Sequence, residues 1–212
     1  ESDDYAAIAI QGPKAEPHLQ KALDVKLDDI KNLTFKKIND FIISRSGYTG
    51  EDGFEVYGSE KTIKELTKAL VKSGVKLCGL GSRDTLRFEA GLPLFGHEIS
   101  GFISPVQAGL NFAIDYNKET FIGKDVLLKQ KANLEEKIYG LELLDRGVLR
   151  QGYPIFDKEE NVGYITSGFM IPGTKKSYAN GLIKTNYKNG DILEVEVRNK
   201  RLKVQVRRKK YL

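Results

Sequence analysis

The chain has one cysteine, two histidines, one methionine and no tryptophan among 212 residues. A single cysteine, Cys78, excludes an internal disulfide and suits a reducing cytosol. His18 and His97 lie far apart, so no zinc-ligand spacing exists. A nucleophile–histidine–acid triad is hard to assemble from so few parts. No run of about 18 apolar residues occurs, which leaves nothing to span a membrane as a helix. No signal-peptide pattern opens the chain either, so a cytoplasmic location is expected. Chemistry here has to rest on carboxylates, arginines, tyrosines or a bound organic cofactor.

What is present is ordinary for a soluble globular protein: 40% apolar and 30% charged residues. The length suits one large domain or two small ones. Much of the net charge of +5 sits at the end, in "RRKKYL". That tail reads as a solvated terminal strand or as a nucleic-acid patch. No recognised nucleic-acid motif accompanies it. The opening "ESDDYAAIAIQGPKA" reads as a strand, a Gly-Pro turn and a helix, which is mid-domain material, although removal of an initiator would also explain the start.

Residues 5–10 form a short apolar run ending in Gly12-Pro13, hence a buried strand, and "KAEPHLQKAL" follows as a helix. Residues 35–38 and 41–46 read as strands, and 55–57 close a hairpin with the second of these. Residues 59–73 give the clearest helix, with Ile63, Leu66, Leu70 and Val71 at helical spacing, Ser59 as cap and Gly74 as stop. "KLCGLGSRDTLRFEAGL" predicts a short strand, a glycine-flanked turn and a helix capped by Ser82. Alternation over 109–114 predicts another strand, and 124–131 a further helix.

From about Lys137 short strands alternate with turns, which predicts a small β-barrel or sandwich. If Asn199-Lys200 is the last turn, Val197 faces Leu202, Val195 faces Val204, Leu193 faces Val206, and Glu196 meets Lys203. The expected class is α+β. A ferredoxin-like layer of helices on an antiparallel sheet occupies residues 1–132, and an antiparallel β-barrel domain occupies 133–212.

The stretch "SRSGYTGEDGFEVYG", residues 44–58, carries most of the candidate chemistry. Gly47, Gly50 and Gly53 surround Tyr48, Glu51 and Asp52. Phe54 and Val56 should face the core, so period two sends Glu55 and Tyr57 to the opposite face. An acid fixed there can accept two parallel hydrogen bonds from an amino-pyrimidine edge. Tyr48 can stack on a flat ring or donate its hydroxyl. The same residues also suit a hairpin loop with solvated acids. In "GLGSRDTLRFEAGLPLFGHEI", residues 79–99, Arg83 and Arg87 share a helix face. Arg83 sits in the first turn, where the macrodipole disfavours a cation, so it wants Asp84, Glu55 or an anionic ligand as partner. An Arg–Asp pair closing the helix is the alternative.

Taken in order, "GYTGEDGFEV", "GLGSRDTLRFEAGLPLFGHEI" and "SPVQAGL…FIGKDVLLKQK" resemble the T-protein family of the glycine cleavage system, with "YAAIAIQGPKA" and "VGYITSGFMIPGTKKSYANGLI" in support. The resemblance covers essentially the whole chain. It implies an aminomethyltransferase that binds tetrahydrofolate, takes an aminomethyl group from the lipoyl arm of the H-protein, releases ammonia and leaves methylenetetrahydrofolate. By motif position, the family's folate-contacting tyrosine, acid and arginine fall on Tyr48, Glu55 and Arg83. No metal is implied.

The family carries roughly a further third of chain before this stretch, including the aspartate given the main catalytic role. The isolated chain is therefore expected to be inactive, with its catalytic residue unassigned. "GSRD" replaces the commoner "GARD", and Leu92 stands where some relatives carry a pocket tyrosine. An iron–sulfur maturation branch carries a cysteine-containing element where this chain reads "KETFIGKDV". Folate-linked oxidases of the same fold add flavin domains that this chain lacks. The remaining alternatives are a non-catalytic folate-binding relative and a basic RNA- or protein-binding module.

Overall fold

In the computed structural model, which describes residues 2–211, the chain divides into two compact units, Glu1–Arg87 and Phe88–Leu212. The first begins with β1 (Ala6–Gln11), α1 (Ala15–Leu23), β2 (Phe35–Ile38), β3 (Phe41–Ser44), β4 (Gly53–Gly58) and α2 (Glu60–Lys72). Pro17 lies in the first turn of α1, where a backbone N–H has no helical partner to lose. The four strands order β1-β4-β3-β2, antiparallel throughout. Leu19 of α1 and Ile63, Leu66 and Leu70 of α2 bury against Ile10, Ile43, Phe54 and Val56 of the sheet. Both helices thus cover one face, the layered α+β arrangement expected. The α2 cap is as read: Ser59 Oγ accepts from the Thr62 amide at 3.2 Å.

Two local expectations fail in and beyond this unit. The run before Gly79 is not a strand, and α3 (Leu80–Glu89) starts early enough to put Ser82 inside its first turn. Leu77 and Leu80 are 78% and 83% exposed, so these apolar residues have no sheet face to bury. The predicted strand over 109–114 is instead a turn and a short 3-10 helix, Asn111–Ala113. Gly109 takes φ of 79°, which breaks an extended run, and the amides of Ala113 and Ile114 bond back to Leu110 and Asn111. The expected helix is present as α4 (Lys124–Ala132).

The second unit is dominated by β5 (Glu136–Leu143), β6 (Pro154–Asp157), β7 (Glu160–Met170), β8 (Ser177–Lys184), β9 (Ile192–Val197) and β10 (Lys200–Arg207). They close into a barrel in the order β10-β5-β8-β7-β6-β9. Closure leaves no strand edge open. Leu141, Ile155, Ile165, Ile183, Val195 and Val204 fill the interior.

The last hairpin keeps the predicted parity but not the predicted partners. Its turn is Arg198-Asn199, both left-handed at φ of 49° and 62°, which suits a primed two-residue turn. Val195 therefore faces Leu202, Leu193 faces Val204, and Lys203 faces Glu194. Glu196 meets Arg201 at 3.2 Å instead of Lys203. Beyond β10 the basic tail folds inward. Lys209 Nζ donates to the Ala108 carbonyl at 2.6 Å, and burial lowers its pKa. Tyr211 is buried, stacked on Phe88 and Tyr178, with its hydroxyl 2.6 Å from the Ala179 carbonyl.

Candidate functional site

Strand parity places the site. Phe54 and Val56 are fully buried, and Glu55 and Tyr57 stand half-buried on the sheet face that the helices leave open. Their cross-strand neighbours there are Ala9 and Ala7 on one side and Ser44 and Ile42 on the other. The two alanines are too short to cover the face.

Glu55 is held by a serine pair. Ser46 Oγ donates to Glu55 Oε2 at 2.8 Å, and Ser44 Oγ lies 2.9 Å from Ser46 Oγ. Tyr57 stands beside Glu55 on the same strand face, near enough for the carboxylate to act on its phenol. Burial, then the neighbouring carboxylate, pushes the Tyr57 pKa up, while the positive charge of Arg83 pulls it back. Arg83 itself lies over the Tyr48 ring, 4.9 Å from its centroid. The three residues picked from sequence therefore do converge. Tyr48 touches Arg83 directly, and the charges of Glu55 and Arg83 both act on Tyr57.

Of the acids proposed as partners for Arg83, Asp84 is engaged elsewhere. It accepts from Arg87 Nε at 2.7 Å, so the Arg–Asp pair on this helix uses the other arginine. The conspicuous Glu51-Asp52 pair also divides. Asp52 takes two bonds from Arg45, at 2.6 and 3.0 Å, and Arg45 reaches on to Glu16 at 2.8 Å. The Arg45 hydrogen bond lowers the Asp52 pKa, and the Arg45 pKa rises in return. Asp52 staples the loop, then, and Glu51 is exposed. The stretch is a hairpin loop whose outgoing strand presents Glu55 on the open sheet face.

Beside this site runs a cleft of about 570 Å³, whose lining includes Ala9, Gln11, Thr49, Leu80, Ser82 and Arg83. Tyr48 and Glu55 are not among its lining residues. Sequence reasoning missed Ser46 and Gln11. Ser46 carries no signal beyond its closeness to Glu55 across the hairpin. Gln11 carries no signal in the sequence, because its loop partners lie 35 or more residues away. No group of three or more His, Cys, Asp or Glu side chains able to hold a metal ion exists among the described residues.

The arrangement can grip a flat, polar, amino-bearing heterocycle. A carboxylate fixed by the Ser46 hydroxyl presents its remaining lone pairs, an aromatic ring offers a stacking face, and a guanidinium supplies positive charge.

Comparison with known proteins shows which family the chain is similar to. Residues 1–118 match the family described as GCVT N-terminal domain, and residues 137–211 match the glycine cleavage T-protein C-terminal barrel domain. An aminomethyltransferase of Thermoanaerobacter sp. (strain X514) is 47% identical over 216 residues, covering 97% of this chain and 59% of that protein. One from Lysinibacillus sphaericus (strain C3-41) is 45% identical over 215 residues, with 96% and 59% covered. The crystal structure of glycine cleavage system aminomethyltransferase T from Bartonella henselae superposes with a TM-score of 0.91 at 30% identity, covering 98% of this chain and 60% of that one. The chain thus spans about 59% of the length of the curated relatives it matches.

Proposed function

We propose, from the premise that this chain belongs to the glycine cleavage T-protein family, that it carries the tetrahydrofolate-facing part of an aminomethyltransferase. The reaction would move the methylene unit of an aminomethyl group on the lipoylated H-protein to tetrahydrofolate, with ammonia released. The same proposal assigns residues 1–132 to the folate-facing region, 133–212 to the barrel domain, and the protein to the cytoplasm.

The observation that carries it is the Glu55 carboxylate, presented on the open sheet face and bonded by the Ser46 hydroxyl. Glu55 accepts from the amino-pyrimidine edge of the pterin. Tyr48 flanks the ring. Arg83 neutralises or orients polar groups beside it. These residues supply positioning, which is most of what the step needs once a folate nitrogen faces the aminomethyl carbon. None of them is assigned the general acid or base. The chain alone is expected to bind tetrahydrofolate without turning over aminomethyl-lipoyl H-protein.

Titration calorimetry with tetrahydrofolate tests the reading. Saturable binding that Glu55→Gln weakens is the expected result. No binding by the unaltered chain, or full binding by Glu55→Gln, overturns it. A basic RNA-binding module is less well supported, because the tail that suggested it is tied down at Lys209 and Tyr211.

A further inference from the structure

Gly47 and Gly53 are glycines for a reason other than backbone conformation. Neither takes the left-handed φ that favours glycine. At both, the space a side chain needs is already filled by Gln11. A Cβ at position 47 would sit 1.8 Å from Gln11 Oε1 and 2.5 Å from its Cδ. At position 53 it would sit 2.7 Å from Gln11 Cδ and 2.5 Å from the Ile10 carbonyl oxygen.

The Gln11 amide is not free to swing away. Its Nε2 donates to the Ser46 carbonyl at 3.1 Å and to the Phe54 carbonyl at 3.4 Å, and its Oε1 accepts from Thr49 Oγ1 at 3.2 Å. Ser46 and Thr49 flank the Gly47-Tyr48 pair, and Phe54 directly precedes Glu55. One side chain on β1 therefore ties the loop that carries Tyr48 to the strand that carries Glu55. It also lines the cleft together with Thr49 and Arg83.

We propose that Gln11 is a positioning residue, which fixes the spacing between the Tyr48 ring and the Glu55 carboxylate and so sets the affinity for the flat amino-heterocycle they hold. The proposal rests on the folate reading above. Gln11 acts through its two neighbours and takes no part in bond making. Gly47 is its steric counterpart: the loop can close on the amide only because position 47 has no side chain.

The test uses the 212-residue chain and three readouts: tetrahydrofolate affinity by calorimetry, thermal midpoint, and hydrogen exchange of residues 46–53 without ligand. Gln11→Met keeps the side chain's length and removes its donor and acceptor. It is expected to weaken affinity about tenfold and speed exchange of the loop, with little change in midpoint. Gly47→Ala is expected to weaken affinity in the unaltered chain. In a Gln11→Ala background, where the space is open, the same substitution should change affinity by less than about twofold.

If the unaltered chain binds tetrahydrofolate and Gln11→Met binds equally tightly, the inference falls and the folate reading stands. It falls too if Gly47→Ala costs the same in both backgrounds. If the unaltered chain does not bind, the folate reading falls and takes this proposal with it, whatever the exchange shows.

Discussion

Arg83 lies over the ring of Tyr48, guanidinium carbon to ring centroid 4.9 Å. The contact answers an electrostatic problem posed by the chain itself. A cation in the first turn of α3 meets the positive end of the helix dipole, and the π face of Tyr48 offers it negative potential. Arg83 is exposed, so the pair contributes only about 0.5–1 kcal/mol. Its larger use is to join the glycine-rich loop to α3. Tyr48→Leu and Arg83→Met should each weaken tetrahydrofolate binding. The double variant should lose less than the sum, by about 0.5–1 kcal/mol of coupling. Strictly additive losses in a calorimetric cycle would show that the two act independently.

Glu55 should be the costliest single position. Glu55→Gln keeps the shape and still accepts from Ser46, so the fold should be unaffected. It loses the charge that strengthens hydrogen bonds to a protonated or polarised amino edge, about 1.5–3 kcal/mol. Affinity should fall about 10–100-fold, while the urea midpoint stays where it was. Tyr57→Phe removes only a hydroxyl beside Glu55 and leaves the carboxylate and its Ser46 bond in place, so it should cost less. A Tyr57→Phe loss equal to that of Glu55→Gln would mean the hydroxyl itself meets the ligand.

Much of this site was legible because period two is a hard constraint. Once Phe54 and Val56 are assigned to the core, Glu55 and Tyr57 have nowhere to go but the open face. The same alternation read the last hairpin, where Leu193, Val195, Val204 and Val206 are buried, and helical spacing after Ser59 read the α2 cap. What was not legible depends on distant partners. Residues 109–114 alternate like a strand, yet the left-handed Gly109 and local turn bonds take the backbone out of any ladder. Ser82 looks like a cap, but the helix starts two residues earlier, at Leu80. Gln11 lies 36 residues before Gly47 in sequence, and only the fold brings its amide into the loop.

The β9–β10 turn illustrates a near miss with a practical consequence. Moving the turn from residues 199–200 to 198–199 shifts each partner by two, so every inward side chain stays inward. Arg198 pays for a left-handed conformation that it adopts poorly, at φ of 49°. Arg198→Asn, or Arg198→Asn combined with Asn199→Gly, places the favoured residues in a primed turn. Arg198→Asn should raise stability by up to about 1 kcal/mol in urea denaturation by relieving left-handed strain, with no change in ligand affinity, and the double variant should gain no more because glycine also frees the unfolded chain. A lower midpoint would argue against the 198–199 turn.

The barrel also carries a built-in alkaline limit. Tyr187 packs against the barrel core, its hydroxyl donates to Asp157 Oδ2 at 3.1 Å, and its carbonyl accepts from the Tyr139 hydroxyl at 3.0 Å. Burial first, and then the Asp157 carboxylate, raises its pKa from 10.0 to about 12. A raised folded value means that the fold favours the protonated phenol. The stabilisation is therefore complete below the unfolded value near 10 and drains away as pH rises through about 12. Such a rise corresponds to at most about 3 kcal/mol, less the share that solvent screens. Chemical denaturation should give a barrel stability that is flat near neutral pH and falls between those two values. Lysine deprotonation adds a background to the same window, which the Tyr187→Phe variant isolates. That variant should be less stable near neutral pH and lose less across the window, because it has no phenol to ionise. Parallel pH curves for the two proteins would mean that Tyr187 titrates at its ordinary value, and that the Asp157 contact does not persist in solution.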